Sequence, residues 1–264
     1  MKKLFLLLAG IALIMNACKK DDDNKDDEDK FASITVTADQ EAFVLLSTAT
    51  WCPHCADWAI PAFEDALTGQ DGIDASKVNG FSLHYSGSDP LFKQMADDIK
   101  SDLGVGGTPG LWIDFDSQYS NIPTSWKNAI KSRQAGTNAP CGVALKVEKN
   151  GNSATIYAKV RFFTPTTGNY NIAVYVVESG LVAQQSTPSG SDPNYVHNYV
   201  LRDEATGGNT YGSLLFNGSS ADVYQVTVNY TASPEINMNN VKFVAVIYEM
   251  NGATPVSSPN SDMK

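Results

Sequence analysis

The stretch Trp51-Cys52-Pro53-His54-Cys55 holds the residues best suited to chemistry in this 264-residue chain. Two cysteines three apart can hold a metal, staple the fold, or exchange electrons with other thiols. A structural zinc site needs four ligands, commonly as two pairs. Beside this CxxC the chain offers a distant Cys141 and the histidines His54, His84 and His197, with no second pair, so no metal site is expected. A disulfide closing so short a loop removes little entropy from the unfolded chain and makes a weak staple. Redox exchange fits best. Pro53 suits the first turn of a helix, which puts Cys52 at the helix N-terminus, where unpaired N–H groups and the macrodipole favour a thiolate. Cys55 then lies one turn further along the same face, in reach to resolve a mixed disulfide. His54 offers a proton donor or positive charge near the Cys52 sulfur. Thiolate attack on a disulfide needs no cofactor, and none is expected.

The elements that must position this motif are readable on both sides of it. Phe43 to Ala49 is a continuous apolar run of strand length, as in a strand buried on both faces. A helix is expected from Pro53 to about Leu67, a strand over Phe81–Tyr85, and a helix whose apolar face is Leu91, Phe92, Met95, Ile99 and Leu103. A third strand over Leu111–Phe115 and a last helix over Ser125–Arg133 complete an α/β pattern. After Pro140 the character changes to strands alone, at Val143–Glu148, Ala154–Phe163, Tyr170–Glu178, Val223–Tyr230 and Val241–Glu249. Asn150-Gly151 marks a tight hairpin. Residues 31–140 and 141–264 thus read as separate folding units, the second an all-β, immunoglobulin-like sandwich.

With that strand–CxxC–helix order, the first half resembles the thioredoxin superfamily. Gly104 to Phe115, "GVGGTPGLWIDF", is similar to the superfamily segment that carries a cis-proline before a strand. The resemblance implies a thioredoxin-like domain in which Thr108 and Pro109 lie against the cysteine sulfurs and, with Trp51 and Pro53, dock a substrate chain. It implies Cys52 as the attacking and leaving sulfur, Cys55 as the resolving one, and His54 as the tuning group. CPHC is the pair of intervening residues seen in periplasmic disulfide-forming oxidases. Leu46 stands where thioredoxins carry a buried Asp, which disfavours reductase chemistry, and Pro61 falls one residue late.

The N-terminus bears on location. Lys2 and Lys3 precede an apolar run from Leu4 to Met15, too short to span a bilayer and of the form of a signal peptide, residues 1–17. Met15-Asn16-Ala17-Cys18 resembles a bacterial lipobox, which implies lipidation of Cys18 and anchoring to a membrane. From Lys19 to Lys30 seven acids and four lysines leave a net charge of -3 and nothing apolar to bury. Such a tether stays extended, reaching roughly 40 Å. It resembles those of outer-membrane lipoproteins, and equally reads as a plain solvated spacer. The formal net charge of -10 disfavours a nucleic-acid partner.

Lipobox, thioredoxin-like domain and β domain together resemble the outer membrane protein 28-related lipoproteins, whose β domain has a segment similar to Val196–Asp203, "VHNYVLRD". The implied protein is an outer-membrane lipoprotein of a Gram-negative bacterium, facing periplasm or cell surface, that exchanges disulfides with protein or peptide thiols. The alternative is a non-enzymatic binding or structural lipoprotein on a thioredoxin scaffold. Three smaller expectations remain. His197 and Arg202 form a polar binding spot on a loop or satisfy local backbone. Trp58 packs the active-site helix. Cys141 is an isolated, partly buried thiol or a third redox partner.

Overall fold

The computed structural model describes residues 30–104, 106–115, 117–118 and 122–264. The signal-like segment, Cys18 and the tether up to residue 29 lie outside the described residues.

The apolar run after Glu41 forms β1 (Ala42–Thr48), buried along its whole length. It lies parallel to β2 (Val78–His84) and antiparallel to β3 (Gly110–Ile113), which pairs in turn with β4 (Ser117–Gln118). Side chains alternate across β1, so each face has its own core. Val44 and Leu46 pack with Cys52, Cys55, Phe63, Trp126 and Ile130, under α1 (Ile60–Leu67) and α3 (Pro123–Gln134). Phe43 and Leu45 pack on the other side with Phe81, Leu83, Trp112 and Ile99 of α2 (Gln94–Asp102). Gly80 pairs with Val44 and leaves no room for a side chain, since a Cβ there would lie 2.0 Å from the Val44 carbonyl oxygen.

The strands after Pro140 form a sandwich. One layer is β5 (Cys141–Asn150), β6 (Ser153–Phe162) and β14 (Val223–Thr231). Asn150 pairs with Ser153 across a two-residue turn, and Gly151 takes the left-handed φ of 59° that such a turn requires. The facing layer contains β7 (Thr166–Glu178), β12 (Val200–Glu204), β13 (Ser213–Ser220), β15 (Val241–Asn251) and β16 (Thr254–Met263).

That facing layer does not stop at the β-rich half. A nine-stranded sheet runs β16-β15-β7-β12-β2-β1-β3-β4, with β13 beside β7, so the two halves share it. The junction is one parallel pair, Val200 with Ser82, reinforced by the Ser82 N–H donating to the Tyr199 carbonyl at 2.7 Å. The reason lies in the side chains. On β7 and β15, Ile172, Val174, Phe243 and Ala245 face the sandwich interior, while Tyr175, Val177, Val244 and Tyr248 face the core that holds Phe43, Phe81 and Trp112. Two strands with both faces apolar complete the first half's core, so residues 31–140 and 141–264 contribute to one sheet. Within the described residues the protein is a β-rich fold with few helices and a mixed sheet.

Candidate functional site

The Cys52 motif begins where β1 ends. The chain turns there, with the Cys52 N–H donating to the Ala49 carbonyl at 3.0 Å, and helical geometry starts at Pro53. Proline suits that position because its fixed φ is already helical and its absent N–H would have had no partner. Cys52 occupies the N-cap, and its Sγ accepts the Cys55 backbone N–H at 3.1 Å, as a capping side chain does. The next turn, Cys55–Ala59, is a widened π turn ahead of Pro61 in α1. Cys52 and Cys55 are joined as a disulfide. Cys52 is 3% exposed and Cys55 is fully buried, so Cys52 is the sulfur nearer to solvent. Leu46 belongs to the same apolar core as the pair.

The second motif meets the first. The Thr108–Pro109 bond is cis. The Thr108 hydroxyl donates to the Ser47 carbonyl at 2.7 Å and lies 3.4 Å from Cys55 Sγ. Trp51, Pro53 and His54 are exposed around the pair, and no hydrogen bond among the described residues ties the His54 ring to either sulfur. Trp58 is half-buried against the core under α1, as expected of a packing residue.

Several residues of this region escaped the sequence reading. Tyr85 follows β2 and meets Trp51 edge to face, ring centroids 5.9 Å apart, with Lys100 Nζ 4.0 Å from its centre. Burial pushes its phenol pKa up, opposed by a hydrogen bond with Thr108. Its signal was positional, since ligand sites gather at the carboxyl ends of parallel strands. Beneath the turn lies a buried polar cluster. Asp89 Oδ2 accepts the Thr50 N–H at 2.7 Å and lies 3.2 Å from His84 Nδ1. Burial would raise the Asp89 carboxyl, but bonds from His84, Thr50 and Leu91 outweigh it and hold it below the usual range. From the β-rich half, β9 (Gln185–Thr187) lies against the turn, with the Ser186 N–H donating to the Thr50 carbonyl at 2.7 Å.

His197 and Arg202 are not a surface binding spot. His197 is 1% exposed, its ring centroid 5.1 Å from that of His84, and burial together with His84 pushes its pKa down to about 4. Arg202 is half-buried, in an ion pair with the buried Glu178 at 3.6 Å. Cys141 is fully buried in the sandwich interior rather than partly so, it is unbonded, and burial pushes its thiol up to about 12. It packs in a different core from Cys52 and Cys55. Among the described residues, no group of three or more His, Cys, Asp or Glu is placed to hold a metal.

Fold and site together define a β-rich, mixed-sheet protein with a CxxC disulfide capping the helix that follows β1. The family model "Outer membrane protein Omp28" matches residues 96–258, more than half of the chain, and the chain belongs to that family. The family is one of outer membrane proteins, and no helix among the described residues is long and apolar enough to cross a membrane. The match includes Thr108 and Pro109 but begins after Cys55. No curated protein matches the chain. Among solved structures, HBP35 of Porphyromonas gingivalis is similar over 87% of this chain and 76% of its own, with a TM-score of 0.71 and 16% identity. A crystallographic structure from Agrobacterium tumefaciens is similar over 84% of this chain and 92% of its own, with a TM-score of 0.53 and 16% identity. At such identities the likeness is one of fold.

Proposed function

We propose that this Omp28-family protein is a thiol–disulfide oxidoreductase of the outer membrane, anchored by lipid on Cys18, whose first half is thioredoxin-like. The observation that carries the reading is the Cys52–Cys55 disulfide capping a helix, with the Thr108 hydroxyl 3.4 Å from Cys55 Sγ. An incoming protein thiolate attacks Cys52 Sγ, the Cys52–Cys55 bond breaks, and Cys55 leaves as a thiolate. The Cys55 sulfur lies 3.4 Å from the Thr108 hydroxyl, whose single proton, held by the Ser47 carbonyl, can turn to the new thiolate. A second thiolate of the substrate then attacks the substrate sulfur of the mixed disulfide and releases Cys52 as a thiolate. Cys52 is a good leaving group because the Cys55 N–H already points at it and the helix N-terminus favours negative charge there. The substrate gains a disulfide, the pair gains two electrons, and a disulfide of another protein takes them up to reset the pair. Trp51, Pro53, Thr108 and Pro109, with Tyr85, form the wall against which the substrate chain docks, and His54 stands at its open side.

One observation favours the other reading, a binding or structural lipoprotein without catalysis. The family match begins at residue 96 and omits the CPHC motif. Trapping separates the two. With Cys55→Ser, Cys52 should accumulate mixed disulfides with exported proteins, and with Cys52→Ser none should form. Equal, negligible trapping by both variants would overturn the enzymatic reading.

A further inference from the structure

The redox motif lies wholly in the first half, yet one side chain of the β-rich half reaches its backbone. Gln185, the first residue of β9, is fully buried. Its side-chain nitrogen lies 2.9 Å from the Cys52 carbonyl oxygen, 3.3 Å from that of Ala49 and 3.0 Å from that of Ser186. Three carbonyl oxygens around one end of an amide fix its orientation, because the amide oxygen turned that way would meet only acceptors. The amide oxygen is left buried without a hydrogen-bond partner among the described residues. An unpaired buried acceptor forfeits its hydration with nothing in return, so this glutamine is a poor choice for stability alone.

We infer that Gln185 is a positioning residue of the Cys52–Cys55 site, holding the Cys52 carbonyl so that the Cys55 N–H serves the Cys52 sulfur. The inference rests on the redox reading above. The Cys55 N–H has two acceptors at nearly equal distance, Cys52 Sγ at 3.1 Å and the Cys52 carbonyl oxygen at 3.2 Å. The carbonyl is the stronger acceptor of a neutral pair, and the donor supplied by Gln185 takes up one of its two lone pairs and weakens its claim on the Cys55 N–H. When the pair is reduced, the shared N–H shifts to the Cys52 thiolate, where a hydrogen bond to a charged acceptor is worth more. The Ser186 N–H on the Thr50 carbonyl fixes β9 beside the turn, so the donor is already in place. The β-rich half thereby sets the acidity of a thiol in the other half.

The test uses the mature full-length chain and two readouts, the Cys52 thiol pKa from alkylation rates against pH, and the equilibrium constant with glutathione. Gln185→Met keeps the length and loses the donor. We expect its Cys52 thiol to be about three- to tenfold less ionised at neutral pH, and the pair to be less oxidising by the same factor, a tenfold change being about 30 mV. Wild-type protein that fails to equilibrate with glutathione overturns the redox reading and this inference with it. Wild-type protein that equilibrates, beside a folded Gln185→Met with unchanged pKa and potential, overturns the inference alone. Should Gln185→Met not fold, the wild-type Gln185 side-chain amide decides by NMR. Its resonances should shift with the Cys52 titration, and resonances that stay fixed overturn the inference.

Discussion

Replacing the buried His197 should change how the protein responds to acid. Its ring is 1% exposed, beside His84, and its pKa is pushed from 6.5 to about 4. The unfolded chain therefore takes up a proton near pH 6.5 that the folded protein refuses until about pH 4. Between those values the unfolded state binds more protons, so stability falls as pH falls. The contribution is fully present above pH 6.5, and by about pH 4.5 it has lost about 2.5 kcal/mol, at 1.36 kcal/mol for each unit. Glu41 acts in the opposite sense. Burial raises its carboxyl to about 8, so the folded state holds the extra proton and stability falls as pH rises through that range. Comparing wild type with His197→Leu cancels Glu41, which is common to both. Urea unfolding followed by tryptophan fluorescence at about pH 7.5 and about pH 4.5 should show His197→Leu losing about 2.5 kcal/mol less on acidification than wild type. Equal losses would refute the neutral, buried state assigned to His197.

Two further outcomes follow from the chain's organisation. A fragment of residues 30–139 should lack a cooperative melt and near-UV dichroism, because it uncovers Phe43, Phe81 and Trp112, each worth about 1.5–3 kcal/mol when buried. A native-like melt of that fragment would show that the shared sheet is dispensable. Palmitate labelling in the native host should mark the mature protein and vanish with Cys18→Ser, and label surviving the change would remove the anchor from the account.

The geometry of the CxxC turn and of the Thr108-Pro109 segment was legible because its information is local. The Cys-Pro-His-Cys spacing, the proline at the first helical position and the Thr108-Pro109 segment each act within a few residues of themselves. The hairpin at Gly151 and the face of α2 were equally local. The sharing of one sheet by both halves depends on pairing across distant sequence. A trace of it was present, since Ile172 to Val177 is as continuously apolar as β1 and both of its faces are buried. The strand β16 stayed hidden because "TPVSSPNSDM" reads as turn, and its two prolines are tolerated where the strand forms the edge of the sheet. Gln185, Asp89 and His84 carried no signal of their own. A lone buried polar residue is recognised only by its partners, and two of the three that Gln185 has lie more than 130 positions away.

The central claim is that Cys52–Cys55 is an oxidising pair, and its reduction potential tests this most directly. The Cys55 N–H, 3.1 Å from Cys52 Sγ at the start of a helix, favours a thiolate there, and a favoured thiolate makes a disulfide the better oxidant. Equilibration of the full-length protein with glutathione buffers should place the potential above thioredoxin's value of about -270 mV and toward the roughly -120 mV of the strongest oxidases. A potential at or below about -270 mV, or a pair that does not exchange with glutathione at all, would contradict the account.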